Sequence, residues 1–284
     1  MVSRRRNAKK KVAFVLGGGG HLGAHEVGML QALLEHDIRP ELVLGTSIGA
    51  LNGAAVAAEP SMAMVERLAT AWKTLTRDDV FGGSFLYGAA RLVRGRAHLH
   101  SNEGLRRLIT RTLPVQTFEE LAVPFQCVAA SVERAAEHWF TSGPLVDAIL
   151  ASSAVPGILP VVRLDGEHFM DGGIVNSIPI ERAVHLGATD IYVLHVGRID
   201  RPLGPPKNLW QVAMITFEIA RRHRFAHDLV GLPKETAIHV LPTGDDEPIR
   251  YDSLAQLRYR DFSAVSARIE RAHRATDRYL RNEE

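Results

Sequence analysis

Val12-Ala13-Phe14-Val15-Leu16-Gly17-Gly18-Gly19-Gly20-His21-Leu22-Gly23 is the stretch on which the reading of this chain turns. An unbroken apolar run closed by glycines reads as a short strand buried on both faces, the kind that parallel sheets contain. Lys11 to Leu16 is assigned to that strand, and Val27, Leu30, Leu33 and Leu34 then recur at helical spacing as far as about Glu35. The next strand, Glu41 to Thr46, ends in Gly45-Thr46-Ser47-Ile48-Gly49, after which Ala50 to Ala58 again reads as helix. A strand–loop–helix unit followed at once by another predicts parallel pairing and a layered α/β fold.

The pattern continues outward. Ser61 to Leu75 reads as a helix with Val65, Leu68, Trp72 and Leu75 on one face, and another helix starts at about Asn102, with Leu105 and Leu108 turned inward. Pro124 to Val132 and His138 to Thr141 read as strands. Val161 to Leu164 and His168 to Met170 form a predicted hairpin about Asp165-Gly166, two residues that accept positive φ. Pro179 to Leu186 is a predicted helix and Asp190 to Val196 a strand. Past Pro202, Gly204, Pro205 and Pro206 come two longer helical stretches, Asn208 to Val230 and Ser253 to Leu280, with a strand at Ala237 to Leu241 between them. No repeat and no second core is visible. The expected organisation is a basic flexible tail over residues 1–10, a main domain over 11–200, and a mainly helical C-terminal elaboration over 201–284 packed on the same domain.

With 284 residues, 46% of them apolar, the chain has ample sequence for one core. Its single cysteine, Cys127, excludes an internal disulfide and a cysteine zinc site, and within a strand it reads as a small buried structural residue. The net charge of +2 conceals an asymmetry: Arg4, Arg5, Arg6, Lys9, Lys10 and Lys11 crowd the start, and the remainder has 28 Lys+Arg against 32 Asp+Glu. The basicity therefore belongs to the tail, which reads as a solvated end, with contact to anionic lipid headgroups as the functional alternative. Nucleic acid is not an expected partner, and the sequence leaves the oligomeric state open. Val12 to Leu16 is too short for the core of a secretory signal. Leu42 to Ala58 is 17 residues long, rich in Gly and Ala, and carries Asn52, which is too short and too polar for a membrane span. A cytoplasmic protein is expected, with peripheral contact at the inner membrane face as the lipid-binding variant.

Three motifs carry chemistry. Gly45-x-Ser47-x-Gly49 places a serine where a strand gives way to a helix, a turn that projects the hydroxyl outward and aims helix amides at the reacting centre. The glycine run offers bare backbone N–H groups to a developing oxyanion. It also matches the dinucleotide fingerprint as Gly18-x-Gly20-x-x-Gly23, but that fold needs an acid at the end of the second strand. Gly45-Thr46-Ser47 stands there and Glu41 lies at the opposite end, so the nucleotide reading loses its anchor. Asp171-Gly172-Gly173 alone reads as an ordinary turn; beside a serine elbow and an anion-binding loop it becomes a candidate base. A Ser–His–Asp order fits poorly, because the elbow follows only the second strand. His21, His25 and His195 therefore read as structural or pocket-wall residues.

In this order the motifs resemble the patatin-like phospholipases of bacterial type over roughly Val12 to Val196. The resemblance includes Ala151-Ser152-Ser153-Ala154-Val155-Pro156-Gly157 and Asp171-Gly172-Gly173-Ile174-Val175-Asn176-Ser177-Ile178-Pro179. It implies a three-layer α/β fold with a mainly parallel central sheet flanked by helices. It further implies a lipid acyl hydrolase with a Ser–Asp dyad, no catalytic histidine, and neither metal nor organic cofactor. By position, Ser47 becomes the nucleophile, Asp171 the base, and the amides of Gly18, Gly19 and Gly20 the oxyanion donors. Gly17, Gly23, Gly45, Gly49, Gly172 and Gly173 complete the motifs. The implied substrates are (lyso)phospholipids or related lipid esters.

One position departs from the family: its glycine motif ordinarily has Arg or Lys before the last glycine, and here Leu22 stands there. Losing an oxyanion contact costs ~10²-fold in rate, with His21 as the local substitute, so a degenerate member that binds acyl chains or partners without turnover is the alternative. Phe81 to Val93 is a candidate cap or lipid-facing segment, or else a surface helix packed on the core. Trp210 to Phe225, with Met214, Phe217, Arg221, Arg222, His223 and Arg224, is likewise either membrane-facing or core-packed with a solvated end.

Overall fold

The apolar run at Val12 folds as β1 (Val12–Leu16), the middle of the parallel part of the sheet. The computed structural model describes residues 10–75, 98, 100–196, 202–207, 209–244 and 262–283. The basic run from Arg4 to Lys9 and the stretch from Phe81 to Val93 lie outside the described residues.

Through a short 3₁₀ turn at Gly20–Gly23, β1 leads into α1 (Ala24–Glu35), followed by β2 (Leu42–Thr46), α2 (Ile48–Ala58) and α3 (Met62–Thr74). The Ser61 hydroxyl accepts from the Met64 N–H at 3.3 Å and caps α3, as a serine before an amphipathic run is suited to do. After α4 (Glu103–Thr112) come β3 (Phe125–Ser131), β4 (Ala136–Phe140), α5 (Leu145–Ser152), β5 (Val162–Leu164) and β6 (Glu167–Asp171). The chain continues with α6 (Ile180–His185), β7 (Asp190–Leu194), α7 (Leu209–Val230), β8 (Ala237–Val240) and α8 (Phe262–Glu283).

Among the described residues the sheet has eight strands, ordered β5-β6-β3-β2-β1-β7-β8, with β4 also paired to β3. The pairs β1–β2, β1–β7, β2–β3 and β7–β8 are parallel, and those involving β4, β5 and β6 are antiparallel. Alternation along β1 feeds two cores. Phe14 and Leu16 pack with Val27, Leu30 and Leu33 of α1, whereas Ala13 and Val15 pack with Ile180 and Ala183 of α6 and Phe225 of α7. The sheet is thus buried on both sides by helices, which is why its central strands read as unbroken apolar runs.

Register explains how distant parts of the chain meet. Along β3, Cys127 to Ser131 pair with β4 on one edge. On the other edge Phe125 to Val128 pair with β2, and Ala129 to Ser131 pair with β6. The strands β2 and β6 therefore approach head-on: Thr46 lies opposite Val128, and Asp171 opposite the next residue, Ala129. A Cβ on Gly172 would lie 2.1 Å from the Val128 carbonyl oxygen, so the turn after β6 presses directly on β3.

Elsewhere, Asp165 and Gly166 turn the β5–β6 hairpin with φ of 49° and 85°, the left-handed pair expected of them. Asn102 precedes α4 but makes no side-chain cap; Ser101 Oγ accepts from the Glu103 N–H at 3.2 Å instead. Helix α5 goes beyond the sequence reading, and β4 begins two residues before His138. Helix α8 lies along α1, where Gly28 lets the backbones close: a Cβ there would meet the Ile269 carbonyl oxygen at 2.1 Å. His36–Asp277 at 3.0 Å and His273–Glu35 at 2.6 Å flank that contact. Cys127 is fully buried, and burial pushes its thiol far up, in keeping with a structural role. Among the described residues no helix is long and apolar enough to cross a membrane.

Candidate active site

The loops that follow β1, β2 and β6 converge where β2 and β6 meet, at the carboxyl ends of the parallel strands. Ser47 sits between β2 and α2 with φ 56° and ψ −122°, a backbone conformation that L-residues other than glycine rarely hold. Its surroundings require the two flanking glycines. A Cβ at Gly45 would lie 2.5 Å from the Gly49 carbonyl oxygen, and one at Gly49 would lie 2.4 Å from the Leu16 carbonyl oxygen. The Ser47 N–H donates to Ser152 Oγ at 2.9 Å, and Thr46 Oγ1 donates to the Asn176 carbonyl at 3.0 Å, so the elbow is tied to α5 and to the segment after Asp171.

Ser47 Oγ donates to Asp171 Oδ2 at 2.6 Å. The other carboxylate oxygen, Oδ1, accepts the Gly173 N–H at 2.7 Å, which orients the group through the two-glycine turn. Ser47 is 7% exposed and Asp171 2%. Burial outweighs the hydrogen bonds from Ser47 and Gly173 and raises the Asp171 pKa from 3.8 to about 6. A buried carboxylate whose ionised form is disfavoured accepts a proton more readily than an exposed one, which suits a general base.

Among the described residues, the side chains of Ser47 and Asp171 hydrogen-bond to each other and to the Gly173 N–H rather than to a histidine. His195 directly follows β7, with Nδ1 3.3 Å from the position a Gly17 Cβ would take. Burial, together with the charges of Arg221 and Arg222, holds it neutral, its pKa well below the usual value. His21 is lowered to about 4 by burial, then by Arg268 and His25. His25 Nδ1 donates to the Leu22 carbonyl at 2.9 Å, an assignment that makes it part of the loop.

The glycine loop divides its labour. The Gly17 N–H donates to the Leu194 carbonyl at 3.0 Å and the Gly18 N–H to the Ser177 carbonyl at 3.2 Å. Gly18, expected as an oxyanion donor, therefore has its amide engaged; its role is close approach, since a Cβ there would lie 3.5 Å from Ser47 Cβ. The N–H groups of Gly19 and Gly20 have no hydrogen bond among the described residues. Beyond the loop, Asn52 Nδ2 donates to the Gly23 carbonyl at 3.1 Å and to Glu26 Oε2 at 2.7 Å, while Trp72 Nε1 donates to Asn52 Oδ1 at 3.2 Å. Glu26 is fully buried, and burial raises its pKa well above the ordinary value. From α7, Arg221 Nη1 donates to the Gly18 carbonyl at 3.1 Å.

Ser152, Ser177 and Arg221 were not singled out as site residues by the sequence. Ser152 and Ser177 lie inside motif stretches, yet nothing local marks them as supports of the elbow and the loop. For Arg221 the available signal was Glu218 one helical turn earlier, a pairing that buries both charges. Among the described residues, no group of three or more His, Cys, Asp or Glu side chains is arranged to hold a metal ion.

A family model described as patatin-like phospholipase matches residues 14–184, the segment that contributes every one of these loops. This chain belongs to the patatin-like phospholipase family. Patatin-like phospholipase domain-containing protein 7 of Rattus norvegicus is 31% identical over 191 residues, covering 66% of this chain and 14% of the rat protein. Patatin-like phospholipase domain-containing protein 6 of Homo sapiens is 32% identical over 192 residues, again 66% of this chain and 14% of the other. Lysophospholipase NTE1 of Mycosarcoma maydis is 28% identical over 222 residues, 74% of this chain and 11% of the fungal protein. The chain thus spans 11–14% of the length of these curated relatives. The crystal structure of VipD from Legionella pneumophila aligns with a TM-score of 0.49 and 13% identity, over 97% of this chain and 67% of that one. As a patatin-like protein, the chain has a mixed α/β fold whose mostly parallel sheet is flanked by helices.

Proposed function

We propose that this patatin-like chain is a lipid acyl hydrolase that cleaves carboxylic ester bonds of lysophospholipids or phospholipids through Ser47 and Asp171. The observation that carries the reading is the 2.6 Å hydrogen bond from Ser47 Oγ to Asp171 Oδ2 beside two glycine amides that have no acceptor among the described residues. The names of the rat, human and fungal relatives, phospholipase and lysophospholipase, support the substrate class.

In this reaction Ser47 Oγ attacks the ester carbonyl carbon while its proton passes to Asp171 Oδ2. The carbonyl oxygen becomes an oxyanion held by the Gly19 and Gly20 N–H groups. Collapse breaks the ester C–O bond, and the departing alcohol takes the proton from Asp171. Water then attacks the acyl-enzyme, giving its proton to Asp171; the carboxylic acid leaves and Ser47 recovers its hydrogen. The strained elbow presents Oγ at the site, and the buried Asp171 supplies basicity without a histidine. Neither a metal nor an organic cofactor enters the scheme.

The test is direct. Incubation with a lysophospholipid should release free fatty acid, detected by mass spectrometry, and a fluorophosphonate probe should modify Ser47 in the native protein but leave Ser47→Ala unlabelled. A chain that binds lipid yet shows neither label nor product is a non-catalytic family member, and the hydrolase reading falls.

On the same reading residues 11–200 are the hydrolase unit and 201–284 an elaboration of it; β8 extending the sheet beside β7 supports this. A cytoplasmic enzyme in peripheral contact with the anionic inner face of the membrane is the companion proposal. It is supported by the cations before Val12 and by exposed Val212, Ile219 and Val230 on α7. Co-sedimentation with phosphatidylserine vesicles but not with phosphatidylcholine vesicles is expected; failure to sediment with either removes membrane contact from the proposal.

A further inference from the structure

Leu22 leaves the glycine loop without a cation of its own, and the structure brings one from α7, 203 positions along the chain from Gly18. We propose that Arg221 is a positioning residue for the hydrolysis: its guanidinium grips the Gly18 carbonyl, fixes the Gly18–Gly19 peptide plane, and so presents the Gly19 N–H to the developing oxyanion. The inference rests on the Ser47–Asp171 reading above.

The geometry follows from the planarity of the peptide. In a trans unit the carbonyl of one residue and the N–H of the next point in opposite directions. Arg221 Nη1 holds the Gly18 carbonyl at 3.1 Å on the α7 side, so the Gly19 N–H is directed away from α7. On its other side Gly18 is held through its own N–H, bonded to the Ser177 carbonyl at 3.2 Å. A glycine segment without such anchors samples many backbone conformations, and each anchor removes part of that freedom. The loop is therefore fixed immediately before the two amides that have no acceptor among the described residues.

Arg221 is itself held for this task. Its Nε donates to Glu218 Oε2 at 2.9 Å and its Nη2 to Glu218 Oε1 at 2.8 Å, which leaves Nη1 for Gly18. Only 6% of the Arg221 side chain is exposed. A planar fork divides its donors in this way; a lysine ammonium cannot span both partners with the same directions. Arg222 also bonds Glu218, at 2.7 Å, so two permanent cations share one carboxylate behind the loop. The Arg221 guanidinium lies on the carbonyl side of the Gly18–Gly19 peptide. Polarising that carbonyl makes the Gly19 N–H a stronger donor as negative charge develops opposite. The contribution grows with oxyanion charge, so it acts on turnover more than on substrate binding.

The experiment compares wild type, R221A and R221K for ester turnover, for the rate of fluorophosphonate labelling at Ser47, and for melting temperature. R221A is expected to lose ~10²-fold in kcat, the effect of one oxyanion donor, with KM within about twofold of wild type. Labelling should slow in parallel, because the phosphoryl oxygen occupies the same donors. R221K should recover part of the loss, and added methylguanidinium should raise the R221A rate while leaving wild type unchanged. A role confined to stability predicts the opposite of that rescue, since guanidinium salts weaken folding. Where R221A fails to fold, R221K carries the comparison, and a kcat equal to wild type in that variant overturns the proposal. Unchanged kcat in R221A, or a loss confined to KM, also overturns it while the hydrolase reading stands. Wild-type protein that neither turns over ester nor labels at Ser47 defeats both.

Discussion

Asp171→Asn is expected to cut ester turnover by at least ~10⁴-fold, the loss on neutralising a serine triad's supporting carboxylate, since here the carboxylate is itself the base, and yet to stabilise the fold in mild alkali. The reason lies in the carboxyl group's pKa, raised by burial from 3.8 to about 6. Between those values the folded protein keeps a proton that the unfolded chain releases. Stability from this group is therefore full below 3.8 and declines as pH rises through about 6. Above that range the native state carries a buried charge that costs roughly 3 kcal/mol. Asparagine keeps a carbonyl acceptor but has only one, so about 1 kcal/mol of the gain is given back through an unmatched donor. A net rise of roughly 2 kcal/mol is expected at about pH 8, reversing to a loss of roughly 1 kcal/mol below about pH 4, as measured by denaturant melts at both values. The same carboxylate sets the acid limb of wild-type kcat/KM, which should inflect near 6. An inflection near the ordinary aspartate value, or a destabilised variant in alkali, would contradict the assignment.

Gly49→Ala is expected to harm the fold heavily for the addition of one methyl group. Its Cβ would sit 2.4 Å from the Leu16 carbonyl oxygen, 2.6 Å from the Leu16 carbonyl carbon and 2.8 Å from the Gly17 carbonyl oxygen. All three are main-chain atoms at the end of β1, so no side chain can swing aside. Relief requires moving α2 off the sheet or displacing the glycine loop, and overpacking of this kind costs roughly 3 kcal/mol. For a chain of this length that is a fall of about 6–12 °C in Tm. Gly53→Ala is the control on the same helix, where the nearest atoms are side chains of Phe125 and Val43 at 3.2 Å. There the intrinsic preference of helices for alanine, worth about 1 kcal/mol, offsets the crowding, and Tm should change little. Equal melting of the two variants would show that the elbow tolerates a methyl group and that the close crossing is not what demands glycine.

These outcomes bear on what the residues disclosed in advance. β1 was legible because parallel strands buried on both faces leave an unbroken apolar run, and Val12–Leu16 is such a run. The hairpin at Asp165-Gly166 was legible because those residues tolerate the left-handed backbone. The elbow was legible because the crowding around Ser47 admits only glycine on both sides. The head-on meeting of β2 and β6 was not, because it depends on where three strands fall in register along β3, and register has no local signature. The engagement of the Gly18 amide by Ser177 was hidden for the same reason: its partner comes from a loop remote in sequence. Arg221 sits in a basic cluster that suggested a solvated helix end, yet it turns inward, because Glu218 on the same helix compensates its charge under cover. His223 of the same cluster is exposed, so composition alone could not separate the two.

The abutting strand ends also set a timetable. During synthesis the serine emerges more than a hundred residues before the aspartate, and nothing in β1 or β2 supplies a substitute proton acceptor at that edge. A ribosome-bound intermediate lacking the last antiparallel strand would carry an unactivated alcohol, harmless to the bilayers around it. On the proposed mechanism, competence would then arrive in two stages, the carboxylate with β6 and the loop anchor with α7.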